Sequence, residues 1–181
     1  KCFSAGDDLN EGDVYPEGED TTQKIISLPR NKPIIAAVNS WCLGAGFIYL
    51  ILLTDIRVAG NGARFGLPEI AYGMAGGRGS SRLPLHIPRV WANWIALTGE
   101  KVTADQALQY QLINEVVPDD EVFDRALEIA NMIASHPLIA IQTEMECLDK
   151  CPEMTSEEAI NLTRELYDRQ LQIYHQEPDA K

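Results

Sequence analysis

The sequence lacks several features that would assign it to common classes of protein. No apolar run is long enough to span a bilayer, because a glycine turn at Gly44–Gly46 divides the most apolar stretch. No basic and apolar series of the secretion-signal type opens the sequence, so we expect a cytoplasmic protein without a membrane partner. The sequence also lacks the G-x-S-x-G elbow of many serine hydrolases.

Cysteine is scarce, and its four residues are unevenly spaced, as is typical of reduced cytosolic thiols. Cys147 and Cys151 are four positions apart and could share a helix face, but no nearby histidine completes a set of metal ligands. We therefore expect no metal site. Gly44-Ala45-Gly46 also lacks the third glycine of a dinucleotide-binding turn, because Tyr49 occupies that position.

Basic residues are outnumbered, with 15 Lys and Arg against 27 Asp and Glu, and the net charge is −12. This charge argues against a nucleic-acid partner, although it does not exclude a small polyanionic ligand held by local arginines. Seven of the 14 residues from Asp7 to Asp20 are acidic, and glycine and proline interrupt them. That composition predicts a solvated loop.

The most informative stretch runs from Lys32 to Ala59. The apolar run Pro33–Val38 predicts a strand buried on both faces, Phe47–Leu53 a buried helix, and Ile56–Ala59 a second short strand. Glycines at a strand-to-helix turn let the backbone approach a ligand closely, and the first N–H groups of the helix can receive negative charge. The alternative is a tight turn that uses glycine for packing alone.

The remainder of the chain supports an α/β fold with a helical end. Crossover units of strand and helix fill residues 1–120, and residues 121–181 are predicted to be helical, with helices at Val122–Ala134, Leu138–Leu148 and Ser156 to about Tyr174. Thr155-Ser156 is predicted to cap the last helix, with Glu157 and Glu158 in its first turn. The predicted domains are therefore an α/β core and a C-terminal helical region.

Five segments resemble one family in order and at nearly its spacing: FSAGDDL, KPIIAAVNSWCLGAG, ARFGLPEI, GSSRLP and LTGEKVTADQALQYQLINEVVP. The chain is identified by them as a member of the crotonase, or enoyl-CoA hydratase/isomerase, superfamily. The resemblance implies a ββα spiral core, an acyl-CoA thioester as substrate, no cofactor apart from the coenzyme A of the substrate, and a homo-trimer or hexamer. Segments usual at both ends of the family are absent from this sequence, so we expect a truncated chain.

The resemblance also implies the site. Family members stabilise an enolate with two backbone N–H groups, which here would be those of Asp7 and Ala45, and such donors contribute several kcal/mol in enzymes of this kind. Glu69 occupies the position of the second family glutamate and would be the base, whereas Ile48 replaces the first. Isomerisation of a double bond is therefore expected rather than hydration. The residues implied to contact the substrate are Ala5, Gly6, Trp41, Gly44, Gly46 and Tyr72.

Two kinds of alternative stay open. Glu69 could be a loop residue that caps the chain or pairs with Arg64 or Arg78. The protein could also run another enolate reaction on acyl-CoA, such as racemisation, decarboxylation or thioester hydrolysis, or be a noncatalytic acyl-CoA-binding or assembly homologue.

Overall fold

The computed structural model describes residues 2–6, 24–25, 27–74 and 79–176. The chain forms two compact units, one of residues 1–29 and 34–126 and the other of residues 30–33 and 127–181. None of the helices within the described ranges combines the length and apolar composition that crossing a bilayer requires.

Strands and helices alternate in the first unit. Its regular elements are β1 (Ile35–Val38), β2 (Trp41–Leu43), α1 (Ala45–Leu53), β3 (Ile56–Gly60), β4 (Arg64–Gly66), α2 (Arg89–Thr98), β5 (Val102–Thr103), α3 (Ala104–Gln109) and β6 (Glu115–Val117). Two 3-10 helices, Pro68–Tyr72 and Ser80–Leu85, lie between β4 and α2.

In the described part of the chain, the strands form two sheets of three strands each. One sheet has the order β1-β3-β6 with all strands parallel, and the other has the order β2-β4-β5 with β2 and β4 parallel. The first four strands therefore alternate between the two sheets, and a helical segment follows each of the pairs β1-β2 and β3-β4. This is the ββα spiral that the sequence resemblance implied.

The predicted strands and helix of the central stretch are confirmed with small shifts of their ends. The predicted burial of the first strand on both faces is wrong, because one face of β1 is buried and the other is half-buried, and β2 was missed. The sequence predicts no strand between β1 and the glycine turn, whereas Trp41–Leu43 pairs with Arg64–Gly66. A strand of three residues is too short to display a period of two. Ser40, which has φ 60°, turns the chain from one sheet to the other, and its carbonyl accepts a hydrogen bond from the N–H of Arg64 at 2.9 Å.

The core of the first unit surrounds α1, which is apolar on all sides and correspondingly buried. Phe47, Leu50 and Ile51 are each at most 2% exposed. Phe47 packs against Phe65 of β4 with 6.4 Å between ring centroids. The helix that begins at the glycine turn is thus fixed by packing along its whole length.

A buried arginine, which the sequence pattern did not indicate, holds the other end of α1. The guanidinium of Arg57 donates to the carbonyls of Ile51 and Thr54 at 3.0 Å each and to that of Leu112 at 2.9 Å. Burial lowers the pKa of Arg57, while the nearby carboxylate of Asp55 opposes the shift. The carbonyl groups at a helix C-terminus carry partial negative charge, so this cation satisfies them and holds the helix in place.

The second unit is helical. The helix α4 (Val122–Ala134) contains the boundary between the units, and α5 (Leu138–Lys150) and α6 (Ser156–Gln176) follow. The cap predicted at Thr155 is confirmed, because its hydroxyl accepts from the N–H of Glu158 at 3.3 Å and its own N–H donates to the Glu158 carboxylate at 2.8 Å. The described residues contain no group of three or more side chains that could hold a metal ion.

One ion pair in the first unit gives a pH-dependent contribution to stability. Arg125 of α4 donates to both carboxylate oxygens of Glu115 in β6, at 2.7 and 2.8 Å. This hydrogen bonding lowers the pKa of Glu115 from its usual 4.5. A depressed folded-state pKa stabilises the protein above the unfolded-state value, and the contribution is lost as pH falls through the folded-state value.

We expect Glu115→Gln to lower the free energy of unfolding at pH 7 by about 0.5–1 kcal/mol, a modest amount because both side chains are about one-third exposed and solvent screens the pair. The deficit should shrink as pH falls from 4.5 towards the lowered pKa of Glu115, where the carboxylate of the folded parent becomes protonated. Urea unfolding at neutral and acidic pH measures both effects. Glu121→Gln removes an exposed charge nearby and serves as the control. A deficit that does not change with pH would contradict the assignment.

Candidate active site

The site is built around Gly44, which connects β2 to α1. Its backbone has φ 58° and ψ −132°, a conformation that side-chain-bearing residues rarely adopt. Its N–H donates to the carbonyl of Gly66 at 3.1 Å, and its carbonyl accepts from the N–H of Ile48 at 3.1 Å. Since the Gly44 N–H is engaged in this pairing, the N–H of Ala45, the first residue of α1, is the next one along the chain that can serve a ligand.

The first described residues run alongside β2. Ser4 forms a parallel bridge with Cys42, its N–H donates to Trp41 at 2.9 Å, and its carbonyl accepts from Leu43 at 3.0 Å. These bonds hold the described residues before Gly6 against β2 through an isolated bridge. They also direct the chain at Gly6 towards the glycine turn.

Two separate turns meet at this point. Gly6 has φ 91°, and a Cβ built on it would lie 3.5 Å from Cα of Gly44 and 3.8 Å from the backbone nitrogen of Ala45. The backbone at Gly6 therefore contacts the start of α1 directly. Asp7, the other predicted donor, directly follows Gly6 in sequence but lies outside the described residues.

Glu69 extends its carboxylate to the same turn. It is the second residue of the 3-10 helix Pro68–Tyr72, which follows β4. A Cβ built on Gly44 would lie only 2.8 Å from Oε1 of Glu69, so the missing side chain at Gly44 leaves the space that the carboxylate occupies. The structure thus brings together three of the predicted residues, Gly6, Gly44 and Glu69, with Ala45 beside them.

The second oxygen of the Glu69 carboxylate is unusual. Oε2 is buried and has no hydrogen-bond partner within the described part of the chain. Arg64, one of the two cations considered as a partner, instead donates to the carbonyls of Asn61 and Ala63. The other, Arg78, lies outside the described residues. A buried carboxylate oxygen without a partner carries a desolvation cost, and such groups are found where a ligand or a reaction uses them.

Ile48 lies one helical turn beyond the glycine turn, on the same side of α1 as Gly44. It is 5% exposed and belongs to the core. A Cβ built on Gly79 would lie 2.8 Å from Cγ2 of Ile48 and 2.7 Å from Cδ1 of Leu52. The position that the first glutamate has in the family is therefore apolar here, and the chain at Gly79 covers it.

The other predicted contact residues have individual surroundings. Gly46 lies in the first turn of α1, where an added Cβ would overlap Ser4. Ala5 is exposed, and Tyr72, three residues after Glu69, is 67% exposed. Trp41 is 42% exposed. The ammonium of Lys101 lies 5.3 Å from its ring centroid, so the ring has a cation–π partner within the protein.

Two side chains near the turns were not singled out from the sequence. The hydroxyl oxygen of Ser4 accepts a hydrogen bond from the N–H of Gly6 at 3.2 Å. A serine two residues before a glycine turn is a local pattern that could have indicated this bond. Cys42, beneath the turn, is a protonated thiol, because burial raises its pKa to about 12. It is therefore not a nucleophile at neutral pH.

Comparison with known proteins gives concordant results. The family model described as enoyl-CoA hydratase/isomerase matches residues 1–177. The chain is 39% identical over 173 residues to the 2,3-dehydroadipyl-CoA hydratase of Escherichia coli K12, covering 92% of this chain and 68% of the relative. It is 40% identical over 166 residues to the mevalonyl-coenzyme A hydratase of Aspergillus fumigatus, covering 87% and 61%.

A solved structure supports the same relationship. The crystal structure of an enoyl-CoA hydratase/isomerase from Mycobacterium paratuberculosis matches with a TM-score of 0.73 and 33% identity, covering 77% of this chain and 53% of that one. The chain thus spans between 53% and 68% of the length of these three proteins.

Proposed function

The chain belongs to the enoyl-CoA hydratase/isomerase family, and from this premise we propose that it moves a proton on an acyl-CoA thioester through an enolate, with Glu69 as the base. The observation that carries the proposal is the position of the Glu69 carboxylate, with Oε1 against the glycine turn and Oε2 buried without a partner. A base must lie beside the carbon that loses the proton, and a thioester bound at the glycine turn would present its α carbon to this carboxylate.

The negative charge that develops on the substrate must be stabilised. When the carboxylate takes the proton, it becomes neutral, and the negative charge moves to the thioester oxygen. The N–H of Ala45, at the positive end of α1, is oriented by a buried helix and needs no rearrangement to stabilise that charge. In this proposal the N–H of Asp7 is the second donor, and its carboxylate would have to point away from the enolate, because it would otherwise oppose the charge.

Isomerisation of the double bond is the reaction we favour. Glu69 would take the proton from the α carbon of a 3-enoyl thioester and return it to the γ carbon, a cycle that needs only one carboxylate. Hydration in the family uses a second glutamate on the other side of the water, and Ile48 can neither hold nor activate water. Hydration is the second candidate, favoured by the names of two relatives, both of which are hydratases.

Proton exchange in heavy water distinguishes these reactions without knowledge of the natural acyl group. We expect deuterium to enter the α and γ positions of a small panel of enoyl-CoA thioesters, as followed by NMR, with no gain of the mass of water. Gain of that mass would favour hydration instead. No exchange with a thioester whose binding is confirmed separately would contradict the proposal and favour a noncatalytic acyl-CoA-binding homologue.

The assembly of the protein is also a proposal. The family resemblance implies a homo-trimer or hexamer, and light scattering of the purified protein would measure the mass directly. A monomer at micromolar concentration would contradict this part of the proposal and leave the chemistry of the glycine turn unaffected.

A further inference from the structure

We propose that Ser4 is a positioning residue that fixes the backbone of Gly6 against the first turn of α1, and so fixes the separation of the two turns from which the proposed oxyanion donors come. The inference rests on the proposed function and adds a residue to it. Ser4 does not touch the reacting atoms in this proposal; it acts through the backbone of Gly6 on one side and through α1 on the other.

The first contact is the hydrogen bond from the Gly6 N–H to Oγ of Ser4, at 3.2 Å. It gives the Gly6 N–H a partner within the protein, so this group does not compete for the substrate oxygen. The next N–H along the chain, that of Asp7, is the predicted donor. The bond also limits the rotation of the backbone at Gly6, whose φ of 91° would otherwise be one of several conformations open to glycine.

The second contact is with α1. A Cβ built on Gly46 would overlap both Cβ and Oγ of Ser4, so the serine side chain packs directly on the backbone of the first helical turn. Gly46 is the residue after the predicted donor Ala45. The same hydroxyl oxygen therefore contacts the Gly6 turn through a hydrogen bond and the α1 turn through packing.

The backbone of Ser4 makes this link rigid. Its N–H and carbonyl are both bonded to β2, at 2.9 Å to Trp41 and 3.0 Å to Leu43. The Cα atom of Ser4 is therefore held in place. A change in the length or polarity of the side chain would alter its contacts with the two turns, because the backbone of Ser4 cannot move to compensate. Preorganised donors stabilise a transition state only if their separation is fixed before the reaction.

The test uses Ser4→Ala, which keeps Cβ on Gly46 and removes only the oxygen. Loss of one oxyanion donor typically lowers kcat about 10²–10³-fold, and a donor that is loosened and not removed should lose part of that effect. We expect kcat for exchange to fall by about 10-fold with KM changed less than about 2-fold, because the donors act mainly in the transition state.

A spectroscopic measurement separates positioning from general destabilisation. Infrared difference spectra of a bound saturated acyl-CoA, labelled with ¹³C at the thioester carbonyl, report how strongly the donors polarise that bond. In the parent protein the carbonyl band should move to lower frequency on binding, and in Ser4→Ala the shift should be smaller.

Thr103→Val is the matched control. Its hydroxyl oxygen also accepts a backbone N–H at 3.2 Å, from Gln106 at the start of α3, so it removes the same kind of bond from a helix cap. It should lower the melting temperature at least as much as Ser4→Ala and leave the carbonyl shift and kcat unchanged.

The outcomes are distinct. A smaller shift and lower kcat in Ser4→Ala alone support the positioning role. An undiminished shift and kcat in Ser4→Ala overturn it and leave the proposed function intact, and equal kinetic losses in both variants overturn it as well. Absence of any carbonyl shift in the parent protein overturns the proposed oxyanion site and the role of Ser4 with it.

Discussion

The variant Glu69→Gln is expected to lose α-proton exchange on enoyl-CoA thioesters by about 10²–10⁴-fold, the usual contribution of a positioned base. Glutamine preserves the shape of the side chain against Gly44 but cannot accept the proton. Exchange of deuterium into the thioester, followed by NMR at saturating substrate, measures the loss. Binding of a saturated acyl-CoA should be retained, because the contact with the glycine turn is unchanged.

The structure also predicts how stability responds to this change. Oε2 of Glu69 has no hydrogen-bond partner among the described residues, so the substitution breaks no bond at that atom. The melting temperature of Glu69→Gln should therefore stay close to that of the parent. A loss of activity in a less stable protein would indicate a structural role instead.

Glu100→Gln provides the matched control, since it makes the same chemical change at an exposed glutamate of the same unit. It should retain both exchange and stability. Undiminished exchange in Glu69→Gln would remove this residue from the mechanism, and the acidic residues between Asp7 and Asp20 would be the next candidates for the base.

The parts of the fold that could be predicted are those in which the local pattern and the tertiary environment agree. β1 was predicted from the apolar run Pro33–Val38, although its Ala36 and Val38 are buried and its Ile35 and Ala37 only half-buried, and α4 was predicted with its observed bounds because its apolar residues follow the helical period. The cap at Thr155 was predicted because its partner, Glu158, is three residues away. In each case the information is contained within a few neighbouring residues.

The parts that could not be predicted depend on distant partners. β2 is stabilised by Ser4 on one side and by β4 on the other, and neither pairing is visible from three residues of sequence. In the sequence, Arg57 is a charged residue within an otherwise apolar strand. Only the folded chain shows that its guanidinium donates to carbonyl groups of α1 and Leu112. Such contacts are set by topology and not by local propensity.

The candidate site shows the same division. The resemblance pointed to Glu69 and the glycine turn from their motifs, but the contact between them joins residues 44 and 69 through the pairing of β2 with β4. The role proposed for Ser4 depends on the approach of Gly46, which motif spacing alone does not reveal.

Ile48→Glu is expected to lower the free energy of unfolding by about 2–5 kcal/mol and, in molecules that remain folded, to introduce hydration. The cost arises because the side chain is 5% exposed and lies against Gly79 and Leu52, where a carboxylate finds apolar groups. Urea unfolding measures the cost. Loss of the conjugated double bond, followed by ultraviolet absorbance and confirmed by mass, measures hydration.

The gain is expected because position 48 already has the required placement along α1. It lies three residues after the predicted donor Ala45 and four after Gly44, so its side chain extends from the face of the helix that begins at the glycine turn. A carboxylate there and the carboxylate of Glu69 would approach the same turn from two different elements, the arrangement that hydration in the family uses to hold one water. Two carboxylates close together also repel each other, which raises the pKa of one of them and supplies the protonated partner that addition of water needs.

Ile48→Gln separates the chemical effect from the loss of packing. Glutamine has the same length as glutamate and also places a polar group among apolar neighbours, but it has no ionisable group. The Ile48→Gln variant should therefore be destabilised and show no hydration. Hydration in Ile48→Glu and not in Ile48→Gln would assign the difference between the two reactions to this one side chain. A folded Ile48→Glu variant without hydration would show that the water site needs further groups. Gly79 covers the side chain at position 48, and a carboxylate confined by Gly79 could not turn towards Glu69.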